Sequence, residues 1–249
     1  MPWLSDVPIN PLRRRGREML SNPQVTHGMV CQGLAGPTAT GRTLWRFEYD
    51  PRRAHLIVLT QSKPSWAHIV EAAGWEEADG AEARVVSLDP LVDLVALGRR
   101  FSFRVRVNPS SSTQAPNGAP ARTKLVEARS AQGGRVRGAR VAERSAAQQT
   151  GWFLKRTAHW GFAVPLIDSA PDDDGPHDMI LDERRTVTFT KRNVQRNRVT
   201  LSTATFTGNL IVTNPQRFTE SLIQGIGRGK AYGCGLITLG PPSGIGHHG

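Results

Sequence analysis

The sequence predicts an α+β protein built from two successive β-α-β-β-α-β units. Three observations carry this expectation. Segments such as Leu44–Tyr49 and Arg100–Val107 alternate apolar and polar residues with the period of a strand. Residues 65–73 and 142–159 carry apolar side chains at helical spacing between such strands. The same order of elements recurs in both halves, although no residue-by-residue repeat is visible.

In the first half, residues 4–11 read as a short strand ending in Ile9-Asn10-Pro11. Arg13, Arg14, Arg15 and Arg17 form a basic cluster leading towards a helix through Ser21-Asn22-Pro23. Over residues 44–49, Trp45, Phe47 and Tyr49 alternate against Arg46 and Glu48. Asp50-Pro51-Arg52-Arg53 supplies a turn, and residues 55–60 form a strand of buried type. A helix over 65–73 with Ser65 as N-cap and a strand over 84–88 close the set. This is the order of the ferredoxin-like split βαβ unit, and it assigns residues 1–90 to an N-terminal domain.

A C-terminal domain over residues 98–242 starts with the strand 100–107, stopped by Asn108-Pro109. Residues 110–120, rich in Ser, Pro, Gly and Asn, read as a flexible loop. Residues 121–140 are basic and poor in apolar side chains, the pattern of a segment mobile without a ligand. A helix over 142–159 and a strand over 162–167 follow, then the acidic turn Asp172-Asp173-Asp174-Gly175-Pro176. Strands over 186–190 and 199–203, the second continuing to Val212, flank the basic hairpin 191–198. The helix Pro215–Gln224 and a strand over 236–239 complete the unit, and residues 243–249 form a flexible Gly-rich tail.

Composition narrows the partner. The 249 residues hold 32 Lys and Arg against 21 Asp and Glu, a formal net charge of +11. Such an excess selects a polyanion: RNA, DNA or an anionic membrane surface. No apolar run approaches the ~20 residues of a spanning helix, so a membrane is the weaker choice. The opening Met-Pro-Trp-Leu-Ser-Asp lacks the features of a signal peptide, and a cytoplasmic location is expected. Cys31 and Cys234 make neither a disulfide framework nor a zinc spacing. No metal and no cofactor is expected.

Two basic features stand out. In residues 225–235, glycines alternate with Ile226, Arg228, Lys230, Ala231, Tyr232 and Cys234. Gly227 and Gly229 let backbone amides approach a ligand, and Arg228 and Lys230 add charge, a combination suited to a phosphate backbone. A tight turn with two solvated cations has the same composition. Gln224 and Ala231 occupy the places of a Walker A glycine and hydroxyl, so the loop is not of that type. The second feature is the hairpin with Lys191, Arg192, Arg196 and Arg198, either an ordinary charged end or a ribbon tip for a nucleic-acid groove.

Six segments together resemble the CasE family, the CRISPR-repeat endoribonuclease of the type I-E Cascade complex. They are the strand ending in Ile9-Asn10-Pro11, residues 21–27, the strand 101–107 with Asn108-Pro109, the helix containing Trp152-Phe153-Leu154, residues 204–210 and the glycine-rich run. The resemblance covers nearly the whole chain. It implies two tandem ferredoxin-like (RRM-like) domains, cleavage of precursor transcripts at the base of each repeat hairpin, and retention of the 3′ hairpin of the mature guide beside other Cascade subunits.

It also implies a catalytic histidine early in the first helix, and His27 holds that position. RNA carries its own nucleophile, the 2′-OH, so the reaction needs alignment, proton transfer and charge stabilisation, and yields a 2′,3′-cyclic phosphate and a 5′-OH. His27 would either accept the 2′-OH proton or protonate the departing 5′-oxygen. Some relatives carry a tyrosine three residues earlier. Here that residue is Gln24, which can hydrogen-bond a phosphate but transfers no proton. Gly28 leaves no basic side chain directly after His27. A non-catalytic RNA-hairpin-binding or assembly subunit on the same fold is the alternative. Replacing Arg192 or Arg196 by Ala should weaken repeat-hairpin binding by ~1–3 kcal/mol if either reads a base edge. Unchanged affinity and salt dependence in both would return the hairpin to an ordinary charged end.

Overall fold

The structure, a computed structural model, describes residues 1–34, 41–49, 53–75, 82–113, 139–167, 175–190 and 198–242. The first half contains β1 (Trp3–Ile9), α1 (Arg14–Ser21), α2 (Pro23–Gln32), β2 (Leu44–Tyr49), β3 (Ala54–Thr60), α3 (Ala67–Ala73) and β4 (Arg84–Ser87). Its strands form an antiparallel sheet in the order β2-β3-β1-β4. The first and third strands are central, as a split β-α-β unit requires. Val7, Ile9, Leu56 and Val58 of the central strands pack against Met19, Met29, Val30 and Ile69 of the helices.

After the short α4 (Asp89–Asp93), the second half runs β5 (Arg100–Val107), β6 (Ser110–Thr113), β7 (Ala139–Ala142), α5 (Ala146–Thr157), a 3-10 turn Ala158–Trp160, β8 (Phe162–Ala163), β9 (Met179–Thr190), β10 (Arg198–Val212), α6 (Pro215–Gln224), a 3-10 turn Lys230–Tyr232 and β11 (Ile237–Gly240). The sheet order is β11-β5-β10-β8, and β9 also pairs with β10. β8 faces Ile211 and Val212 while β9 faces residues 198–208, so the two share one edge of β10. The central pair is again first and third, and the α+β ferredoxin-like order appears twice. β6 and β7 form a separate two-stranded ribbon. The core beneath the second sheet is aromatic, with Phe153 stacked on Phe206 at 4.5 Å and Phe162 edge-on to Phe218.

Several elements depart from the sequence expectation. Ser110–Thr113, expected as loop, is strand, because β7 offers a partner and Pro109 O accepts from Glu143 N at 3.1 Å. The helix expected over 142–159 starts at Ala146, where Ser145 and Gln148 form a reciprocal capping box. Ala142 belongs to β7 instead. The helix ends in a 3-10 turn closed by Gly161 at φ 86°. The strand expected over 162–167 pairs only at Phe162–Ala163, since Pro165 has no amide for the ladder. A single bridge, Leu166 to His177, follows. Ser65 does not cap α3; its amide donates to Gly33 O at 2.9 Å, and Trp66 occupies the cap position.

β9 begins seven residues before the expected 186. Its charged stretch Asp182-Glu183-Arg184-Arg185 lies outside the expected strand, yet Asp182 and Glu183 pair with Arg104 and Arg106 of β5, Arg184 bonds Gln149 of α5, and Arg185 pairs with Glu183 along the strand. Asp182 is the extra residue of a β-bulge, since Leu181 faces Phe206 and Glu183 faces Thr205. Residues 198–203 of β10 extend past the end of β5 and pair with β9 alone. The acidic turn at 172–174, the basic stretch 121–138, hairpin residues 191–197 and the tail 243–249 lie outside the described residues.

Arg46 joins the two sheets. Alternation along β2 sets it on a polar face, but that face is covered and the residue is 2% exposed. Its NH1 donates to Arg104 O at 3.0 Å and to Leu236 O at 2.7 Å, and its NH2 to Thr238 Oγ1 at 2.7 Å. Its Nε pairs with Glu48, whose other oxygen accepts from Arg104 Nε at 2.8 Å. Burial pushes the Arg46 pKa down to about 10, with Glu48 opposing, so the group is a cation at neutral pH. Beside it, Leu44, Leu59, Leu88 and Leu236 form a small apolar cluster drawn from both halves. Arg46→Met should cost about 3–5 kcal/mol in chemical denaturation, because two buried carbonyls and Glu48 lose their partner. A loss below about 1 kcal/mol would show that the junction does not rest on this side chain.

Candidate active site and nucleic-acid interface

α2 is placed by its own first turn. The Asn22 side chain accepts from Gln24 N at 3.0 Å, and Pro23 occupies the first helical position. The buried Thr26 hydroxyl donates to Met19 O at 2.6 Å, which fixes the roll of α2 against α1. Thr26, Met29 and Val30 face the core. The opposite stripe, at helical spacing, is Gln24, His27, Gly28 and Cys31.

His27 is half-buried, and burial pushes its imidazole pKa below the usual value, favouring the neutral ring. Cys31 Sγ lies 3.8 Å from Nε2 and 3.9 Å from Nδ1 of His27. Burial raises the pKa of that thiol, so it remains protonated at neutral pH. A Cβ at Gly28 would meet no atom within 4 Å, so the space beside His27 is open.

The glycine-rich loop lies next to this helix, because its 3-10 turn Lys230–Tyr232 packs against α2. Gly225, Gly227, Gly229, Gly233 and Gly235 all adopt positive φ. Their surroundings divide them. A Cβ at Gly233 would come within 2.8 Å of the Trp45 ring, and one at Gly225 within 2.7 Å of Leu44, so these two let the loop touch β2. Gly227 and Gly229 have ordinary room. Ile226 N donates to Gly235 O at 2.9 Å and Gly235 N to Arg106 O at 2.7 Å, which pins the loop at both ends. The amides of Gly227, Arg228 and Gly229 donate to no acceptor among the described residues.

The two loop cations differ. Arg228 is exposed. Lys230 reaches back and donates from Nζ to Gln224 O at 2.7 Å, closing the C-terminus of α6. Burial, then the charge of Arg42, pushes the Lys230 pKa down. Tyr232, a candidate for base stacking, packs on Phe189 at 4.8 Å. Phe103 stacks on Phe153 in the core, and Trp3 carries Lys63 over its ring at 5.3 Å.

The remaining candidates separate from this site. Arg14 and Arg15 pair with Glu18, whose pKa is lowered chiefly by the hydrogen bond from Arg15. Arg17 donates to Leu12 O and Arg13 to Glu71 O, so these four arginines are tied to the first half. His55 pairs with Asp6, His68 with Met29 O and His177 with Val164 O. Lys191, Arg192 and Arg196 lie outside the described residues, and Arg198 opens β10 opposite Thr190. Among the described residues, no group of three His, Cys, Asp or Glu side chains gathers to hold a metal ion, and no helix is long and apolar enough to cross a membrane. Sequence reasoning missed Arg46, whose only signal is an arginine set between two buried-type aromatics.

Residues 2–241 match the model of a family described as CRISPR associated protein. The chain belongs to that family. The resemblance to CasE anticipated this for nearly the whole chain. A curated relative, the CRISPR-associated endoribonuclease Cse3 of Thermus thermophilus, is 26% identical over 247 residues, covering 96% of this chain and all of the relative. The structure of Thermus thermophilus Cse3 bound to an RNA representing a pre-cleavage complex superposes with a TM-score of 0.68 at 24% identity, over 96% of this chain and 99% of that one. A chain of a CRISPR RNA-guided surveillance complex in a pre-nicking state gives 0.60 at 17% identity, over 96% and 99%. At these identities the structural likeness bears on the fold of this CRISPR-associated protein, which is that of tandem ferredoxin-like units.

Gly233→Ala should destabilise the protein by more than the ~1–2 kcal/mol of a left-handed Cβ residue, because it adds overlap with Trp45. Gly227→Ala should cost only that backbone term. Thermal denaturation compares the two, and equal losses would mean that the loop does not lean on β2.

Proposed function

We propose that this CRISPR-associated protein is an endoribonuclease that cuts repeat-containing precursor RNA at the base of each repeat hairpin. It then holds the 3′ hairpin of the product as a subunit of a Cascade surveillance complex. The endoribonuclease activity for which the 26% identical relative Cse3 is named, and its full-length coverage, support the reaction class. The observation that carries the reading is the meeting of α2 with the cationic glycine-rich loop. One domain, residues 1–90, brings the imidazole; the other, residues 98–242, brings the phosphate grip. The cytoplasm is the compartment in which such transcripts are met.

The chemistry follows from the geometry. His27, kept neutral by burial, accepts the proton of the 2′-OH. The O2′–P bond forms, the P–O5′ bond breaks, and the leaving oxygen takes a proton from water. The products are a 2′,3′-cyclic phosphate and a 5′-OH. Charge that develops on the phosphorus oxygens is met by the exposed Arg228 and the uncommitted amides of Gly227 to Gly229. Gln24, one turn before His27 on the same stripe, hydrogen-bonds a phosphate oxygen. Lys230 positions the loop through Gln224 O and adds positive potential. The basic hairpin 191–198 enters a groove of the RNA stem. The substrate supplies its own nucleophile, so the reaction calls for no metal or cofactor.

His27→Ala should lower single-turnover cleavage of a repeat hairpin in EDTA by ~10²–10⁴-fold with affinity unchanged. Cleavage retained by the variant would remove His27 from the mechanism. With His27 as base, the wild-type rate should rise with pH and level off below the ordinary imidazole value of about 6.5, since burial lowers the pKa. A rate that instead falls with rising pH through this range would assign His27 the acid role. Tight binding without cleavage by wild type would leave a hairpin-holding subunit.

A further inference from the structure

A second cationic feature shares Gly227 and Arg228 with the glycine-rich loop. A cleft of about 750 Å3 opens between α5, β6 and the loop, lined by Trp152, Lys155, Arg156, His159, Trp160 and Arg228, with Ser110 and Ser111 at its β6 wall. Its volume lies within the ~300–1,000 Å3 of small-ligand sites. The two indoles form a rigid floor, 6% and 8% exposed, with ring centroids 5.8 Å apart. Trp152 Nε1 donates to Ser110 O at 3.0 Å, which locks the ring. The Arg156 guanidinium lies 4.5 Å over that ring, and its NH1 donates to Trp152 O at 2.9 Å. Lys155 of α5 and His159 of the 3-10 turn that follows it are exposed, and Arg228 of the loop is exposed too. No carboxylate lines the cleft among the described residues; nearby Glu143 is engaged by the Ser111 hydroxyl.

We propose that this cleft holds unpaired nucleotides of the RNA, next to the paired stem. Lys155, His159 and the shared loop residue Arg228 meet phosphates, while the Arg156 guanidinium over Trp152 offers a platform for a base. An acidic protein segment would satisfy the cations but leave that platform unused. Gly227 and Arg228 line the cleft and also belong to the loop that faces α2, so one strand passing over the loop reaches both. The inference rests on the RNA-hairpin reading and adds a separate contact for the single-stranded flank.

The test compares a bare repeat stem-loop with stem-loops extended at either end by about six unpaired nucleotides, a length within single-strand site sizes. One extension should tighten wild-type binding by roughly tenfold, as one stacked base supplies. It should also steepen the salt dependence by ~0.7 per phosphate contacted. Lys155→Glu should abolish both gains and bind the bare stem-loop as wild type does. A photoreactive 4-thiouridine in the extension should crosslink to residues 146–160. Equal wild-type affinity for bare and extended RNAs, a gain that survives Lys155→Glu, or crosslinks only elsewhere would overturn the proposal. So would an acidic peptide that displaces the extension as well as an unstructured oligonucleotide does. If wild type ignored the bare stem-loop, the hairpin reading would fail; the same unstructured oligonucleotide, binding wild type but not Lys155→Glu, would still uphold the cleft.

Discussion

A single buried cation holds the halves of this protein in register. Arg46 leaves β2 and ends among two carbonyls and a hydroxyl of the second sheet, with Glu48 shared between it and Arg104. A buried charge is tolerated only when its donors are satisfied, and here the partners come from β5 and the start of β11. The geometry therefore exists only when both sheets are folded and docked. Everything the site needs follows from that docking. The loop touches β2 through Gly225 and Gly233, and its 3-10 turn rests on the helix that carries His27.

Among the described residues, the cations named above fall into two groups by what they touch. Arg13, Arg14, Arg15 and Arg17 are bonded to carbonyls or to Glu18, Arg104 and Arg106 are tied across the second sheet to Asp182 and Glu183, and Arg184 is tied to Gln149 of α5. These charges are consumed in holding strands and helices together. Arg228 and Lys155 stay exposed, and Arg156 is held over an indole. Among the described residues, a count of charges thus overstates the cations available to a ligand and hides where they gather.

Much of the fold was legible in the residues. The alternation of β2 and β5, the start of α6 at Asn214-Pro215 and the positive-φ glycines of the loop are local signals, and each element formed where its signal lay. What stayed hidden depends on partners far along the chain. Ser110–Thr113 becomes strand only through β7, and the charged start of β9 only through Arg104, Arg106 and Gln149. Arg46 was misplaced because alternation marks two faces of a strand but does not tell that a second sheet covers the polar one. For the candidate site, the sequence offers the loop and His27 as candidates, and the structure sets the 3-10 turn of the loop against the helix that carries His27. That Lys230 serves the end of α6, and that α5 forms one wall of a cleft, required the packing.

The overhang of β9 and β10 beyond β5 acts as a ruler. Six residues of β10, 198–203, pair with β9 alone, a reach of roughly 20 Å at strand rise. Two-stranded ribbons twist more than wide sheets, so each added step also rotates whatever the end carries. Length changes of two residues per strand preserve which side faces outward, whereas a single-residue change turns the ribbon over. Any change of reach that keeps the facing of the ribbon therefore comes in even steps, and the rest of the sheet need not move to accommodate it.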